Sequence, residues 1–73
     1  MKILSICDNK EMSVGLRLVG IEGVVANTAQ EFDDALEIAM DDRQVAIVVV
    51  AKKYAERAEE MRRLRTMPLI VEI

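Results

Sequence analysis

The 73-residue sequence predicts an α/β fold built on a four-stranded parallel sheet with helices on both faces. Three observations carry this expectation. The run Val45-Ala46-Ile47-Val48-Val49-Val50-Ala51 is unbroken, apolar and mostly β-branched, with Asp41-Asp42-Arg43-Gln44 before it and Lys52-Lys53 after it. A strand with one wet face alternates apolar and polar residues, whereas an unbroken run marks a strand covered on both faces. Strand-like and helix-like segments alternate along the whole chain. The connections between them are short, so the strands run parallel and are joined by right-handed crossovers.

Each element has its own local signal. Lys2–Cys7 is apolar and β-prone and ends at Asp8-Asn9, a turn-forming pair. Glu11–Val19 reads as a helix, with Met12, Leu16 and Val19 as its apolar stripe and Gly20 as its stop. Gly23–Ala26 is a short second strand. Thr28-Ala29-Gln30-Glu31 is a capping box, in which a hydroxyl and a carboxylate satisfy backbone N–H groups left unpaired by the first helical turn. The helix continues to about Asp42, with Phe32, Ala35, Leu36 and Ala39 facing inward. Glu31, Asp33 and Asp34 place negative charge at the positive end of its dipole.

The Val45–Ala51 run is the third strand, at the centre of the sheet. Lys53–Arg65 follows as a third helix, with Tyr54, Ala58, Met61 and Arg65 on one stripe and Glu59 placed to pair with Arg63. Thr66-Met67-Pro68 breaks it, and Leu69–Ile73 is the fourth strand. The order β-α-β-α-β-α-β is satisfied by the strand order 2-1-3-4, as in flavodoxin-like and receiver-like folds. Residues 1–73 read as a single Rossmann-like domain, without repeats, linkers or low-complexity segments.

Composition narrows the function. A chain this short is at the small end of what folds alone, so a partner or a missing piece is expected to steady it. Its aromatics are Phe32 and Tyr54 alone, which leaves an aliphatic core with Met12, Met40, Met61 and Met67 filling gaps. With 10 basic and 13 acidic residues the net charge is −3, which disfavours nucleic acid. Cys7 is the single cysteine and there is no histidine, so neither a disulfide nor a zinc site is expected. No apolar run approaches the ~20 residues that span a bilayer, and the first residues enter a strand rather than a signal peptide. The expected location is cytoplasmic, without direct membrane insertion.

Candidate chemistry is sparse. Asp8 follows the first strand, near the switch point where open sheets bind ligands, and its competing role is a turn or helix-cap residue. A receiver domain needs a phosphoacceptor aspartate at the end of the third strand, where this chain has Val50-Ala51-Lys52. Gly15, Gly20 and Gly23 do not form a phosphate loop; Gly15 is expected to permit close helix–sheet packing, and the other two to turn the chain. Cys7 has no histidine to activate it and reads as a small buried hydrophobe. Asp33-Asp34 and Asp41-Asp42 point about 100° apart on a helix and read as a solvated face. Arg62, Arg63 and Arg65 form the only basic cluster. They read either as a docking patch for an acidic partner or as a helix end matched to its dipole.

The whole chain resembles the N-terminal domain of the F-subunit of the archaeal/vacuolar-type (A/V-type) rotary ATPases. The residues that carry the resemblance are a first strand ending in Cys7-Asp8, the stretch Gly15-Leu16-Arg17-Leu18-Val19-Gly20-Ile21, the acidic helix Glu31–Ile38, the strand Val45–Val50 and the closing Met67-Pro68-Leu69-Ile70-Val71-Glu72-Ile73. Cys7 stands in place of the family's usual glycine, and Leu16 in place of an aromatic. The family's mobile C-terminal helix is expected to be absent from this chain. The resemblance implies a non-catalytic component of the central stalk, the rotor, which binds the coiled-coil D-subunit of the stalk and contributes to proton or sodium transport coupled to ATP synthesis or hydrolysis. It implies no cofactor, no small-molecule substrate, and peripheral association with the membrane through the complex. The alternative is a receiver-like signalling or protein-interaction module without a phosphoacceptor. A small hydrolase or transferase lacks any nucleophile–base pair.

Overall fold

The computed structural model describes residues 1–73. Its elements are β1 (Lys2–Cys7), α1 (Lys10–Leu18), β2 (Glu22–Val25), α2 (Ala29–Asp41), β3 (Val45–Val50), a 3-10 turn (Lys52–Tyr54), α3 (Ala55–Leu64) and β4 (Leu69–Glu72). The sheet has the order β2-β1-β3-β4 and every pairing is parallel. This is the α/β architecture expected, with β1 and β3 inside and β4 at an edge.

Register divides the side chains between two faces. Leu4 pairs with Val48, Ile6 with Val50 and Val48 with Ile70, so these residues share one face. There α2 and α3 close the core with Phe32, Leu36, Ala39, Met40, Tyr54 and Ala58. The Tyr54 ring stacks on Phe32, with centroids 4.4 Å apart and planes 17° from parallel. Its hydroxyl donates to the buried Ala26 carbonyl at 2.8 Å, which satisfies the one polar atom the ring carries.

On the other face only α1 packs, against β1 and β2. The residue that seats it is Ser13, not the expected stripe: Met12 and Val19 are exposed and Leu16 is half-buried. The reason lies in the strand below. A Cβ built on Gly23 would fall 2.2 Å from the Ser13 Oγ, so the helix approaches to a distance that only glycine allows. Close packing therefore belongs to Gly23. Gly15, expected to provide it, has nothing within 4 Å of its would-be Cβ. Gly20 does turn the chain, with φ at +89°, the left-handed region that favours glycine.

Other local expectations shift by a residue or a turn. The Thr28 hydroxyl accepts from the Glu31 N–H at 3.1 Å, but the Glu31 carboxylate reaches back to the Asn27 N–H rather than to Thr28. Glu59 pairs with Arg62 at i, i+3, not with Arg63. The third helix begins with the 3-10 turn and ends at Leu64. Met40 is buried and Met61 packs against the core, whereas Met12 and Met67 are exposed and fill no gap.

Candidate interaction surfaces

A crevice lies between α1 and β2, on the opposite side of β1 from the β1/β3 switch point. It encloses about 510 Å³ and is lined by Asp8, Lys10, Ser13, Arg17 and Asn27 among others. The cap of α1 is Asn9, whose Oδ1 accepts from the Glu11 and Met12 N–H groups at 2.7 and 3.3 Å. Asp8 stands outside that cap, 3.8 Å from the Lys53 ammonium. Across the sheet β3 runs out into Ala51 and Lys52, so no second carboxylate meets Asp8 there. Cys7 is fully buried, and burial pushes its thiol pKa up, helped by the nearby Asp8 charge and opposed by a hydrogen bond with Ser5. A raised pKa keeps the thiol protonated and poorly nucleophilic.

The acidic pairs lie at the surface, and Asp33, Asp41 and Asp42 also anchor ion pairs between elements, while Asp34 accepts only from Gln30 of its own helix. Arg57 on α3 donates to both carboxylate oxygens of Asp33 on α2, with Nε 2.9 Å from Oδ1. That bond holds the Asp33 carboxyl below its ordinary range and the Arg57 guanidinium above its own. Asp42 accepts from the Gln44 N–H at 2.9 Å and lies 3.1 Å from the Lys2 ammonium. These contacts lower the Asp42 pKa, and the Asp42 bond raises that of Lys2. No group of three or more His, Cys, Asp or Glu side chains converges on a common point.

The three arginines of the basic cluster diverge. Arg62 pairs with Glu59 and donates from Nη2 to the Ile70 carbonyl at 2.9 Å. Ile73 directs both its backbone groups at β3, so by alternation the backbone groups of Ile70 point outward, and Arg62 covers the open edge of β4. Arg65 donates to Asp41 and to the Met40 carbonyl, both at 2.7 Å, and ties the ends of α2 and α3 together. Arg63 is exposed and makes no ion pair or side-chain hydrogen bond. The cluster as a whole does not present three free guanidinium groups.

A second surface was not singled out from the sequence. Ile47 pairs with Leu69 and Val49 with Val71, which puts these residues on the α1 face of the sheet. Since α1 sits over β1 and β2, no helix covers β4 on that face, and Leu69, Val71 and Ile73 are exposed. The cover expected on both faces of the Val45–Ala51 run is thus complete on one and partial on the other. The signal was present in Leu69-Ile70-Val71, an unbroken apolar run in what became an edge strand.

The family described as ATP synthase (F/14-kDa) subunit matches residues 3–73. The chain belongs to this family, the F-subunits of A/V-type ATP synthases. The match runs from within β1 to the residue after β4, so every element above lies within the F-subunit pattern. Members of the family are accessory subunits, and this chain is one component of a rotary ATPase. No curated protein and no solved structure matches it significantly. No helix of this F-subunit is long and apolar enough to cross a membrane.

Proposed function

We propose that this chain is a non-catalytic part of the central stalk, turning with the coiled-coil D-subunit inside the catalytic head. In this reading it has no active site and transmits torque by surface complementarity, as one link in coupling proton or sodium transport to ATP synthesis or hydrolysis. It works on the cytoplasmic side, held at the membrane through the complex. The observation that carries the reading is the family match across residues 3–73. A buried thiol without a base, an Asp8 without a second carboxylate and an ion-paired acidic surface are what a stalk component without chemistry of its own would contain. Within the basic cluster, Arg63 is the residue we assign to docking, because Arg62 and Arg65 already serve the fold.

Co-elution with the purified coiled-coil D-subunit of the same complex on a sizing column tests this function. A stable one-to-one complex is expected. Two separate peaks at concentrations well above micromolar would overturn the stalk assignment.

A further inference from the structure

The two edges of the sheet are finished differently. Arg62 covers the outward backbone of β4 at Ile70. At the opposite edge β2 pairs with β1 alone. Ala26 donates its N–H to the Cys7 carbonyl at 2.7 Å, so by alternation the N–H and C=O groups of Gly23 and Val25 point away from the sheet. No turn, loop or side chain bonds them, and β2 carries neither a proline nor a bulge to blunt the edge.

Charge is arranged along the same edge. Lys10, Val14 and Arg17 recur along one flank of α1 and line the crevice beside Gly23 and Val25. Arg17 also borders Gly20–Gly23 at the start of β2, and Lys10 stands roughly 10 Å further along the helix. Both cations are exposed, and neither makes an ion pair or a side-chain hydrogen bond. The one carboxylate that lines the crevice, Asp8, is 3.8 Å from the Lys53 ammonium. Glu22 alternates to the other face of the sheet and lies 3.6 Å from Lys2.

These features specify an occupant. An extended strand laid beside β2 satisfies the open groups of Gly23 and Val25 and puts every second side chain on the α1 face. Two such side chains, roughly 7 Å apart, lie beside Lys10 and Arg17, and charge complementarity requires them to be acidic. A second copy is disfavoured. Antiparallel pairing of two β2 edges sets both α1 helices on one face, with Lys10 of each against Arg17 of the other. A coiled-coil helix is unsuited too, since its backbone groups are already bonded within the helix.

We infer that the β2 edge, flanked by Lys10 and Arg17, takes up an extended acidic segment of another protein chain by β-strand addition. The inference does not rest on the stalk reading, which concerns a helical partner. The probe is a short peptide alternating glutamate with valine, titrated into the isotope-labelled chain and followed by NMR. Amide shifts are expected to centre on Gly23 and Val25. A peptide of the same sequence with its backbone nitrogens methylated is expected to bind about tenfold more weakly or less, because it cannot donate to the edge. Arg17→Glu is expected to weaken binding at least about fivefold, and Lys52→Glu, a like change beyond β3, by less than about twofold. Both residues are exposed, so both variants are expected to fold.

Equal binding of the methylated peptide would reduce the contact to charge attraction, and strand addition would fall. Shifts centred away from β2, or no binding at millimolar peptide, would overturn the inference as well. Sedimentation that reveals a dimer through this edge, strengthened by Arg17→Glu, would assign β2 to a second copy and overturn it too.

Discussion

Ser13 of α1 rests on Gly23 of β2 so closely that a methyl group at residue 23 would meet the Ser13 hydroxyl at 2.2 Å and the Ser5 hydroxyl at 3.1 Å. Gly23→Ala must push the helix off the sheet or force a strained rotamer, at a cost of about 1–3 kcal/mol. Removing the nearer hydroxyl relieves most of that. Urea unfolding of Gly23→Ala, Ser13→Ala and the double variant is expected to show coupling, with the double variant more stable than Gly23→Ala alone. Gly15→Ala is the contrast: at an exposed helix position with open space it should raise stability by about 0.5–1 kcal/mol.

Val48 has no exposed surface, and its neighbours Leu4 and Ile70 on the same sheet face offer no counter-charge. Val48→Asp buries a carboxylate that nothing can pair, a loss on the order of 3–5 kcal/mol. Circular dichroism and a sizing column are expected to show an unfolded or aggregated chain. A soluble, folded variant would mean that β3 is not the central strand.

The Tyr54 hydroxyl is the partner that the Ala26 carbonyl finds beyond the end of β2. Tyr54→Phe keeps the stack on Phe32 but leaves that buried carbonyl without its donor. A loss of about 1–2 kcal/mol in thermal or urea unfolding is expected, with the same secondary structure. An unchanged midpoint would indicate that water replaces the hydroxyl.

Asp33 and Asp42 titrate below the ordinary 3.8 in the folded chain, held down by the Arg57 hydrogen bond and by the Gln44 N–H with Lys2 respectively. A carboxyl with a lowered folded pKa binds its proton more readily when unfolded, so its stabilisation is present above 3.8 and fades as pH falls through the folded value. Lys2, raised above 10.5, contributes below that pH and loses its share as pH rises through its folded value. Stability measured from about pH 5 down to about pH 2 is expected to fall in the wild type and to fall less steeply in Asp42→Asn. An identical slope would show that neither the Gln44 nor the Lys2 contact holds the Asp42 carboxylate in solution.

Arg63→Glu should leave the fold untouched, since no ion pair or hydrogen bond of that side chain holds another element. Its stability should stay within the roughly 0.5 kcal/mol typical of a surface change. Binding to the coiled-coil partner is expected to weaken, and more so at low salt, as for an exposed charge. Unchanged binding would reduce the basic cluster to a helix end. Arg62→Ala and Arg65→Ala, by contrast, are expected to cost stability. They uncover the Ile70 edge carbonyl and detach α3 from the end of α2.

What the sequence by itself determined is the part of the protein written in neighbouring residues. The apolar Val45–Ala51 run, the Thr28 cap and the 3.6-residue stripe of Phe32, Leu36 and Ala39 each act over a turn or a strand, and they fix element type, strand order and the α2–α3 side of the core. Arg62, Arg63 and Arg65 were legible as a cluster for the same reason. Tertiary structure alone decided which side of α1 meets the sheet, because an amphipathic period names an apolar side without knowing that Gly23 admits Ser13 more closely than Met12 or Val19. It also decided that Arg65 turns to Asp41, 24 residues away, and Arg62 to the Ile70 carbonyl, which leaves Arg63 alone. The open edge of β2 belongs to the same class. Lys10 and Arg17 come from α1 and Gly23 and Val25 from β2, and only the packing of α1 on an edge strand sets those cations beside unpaired backbone groups.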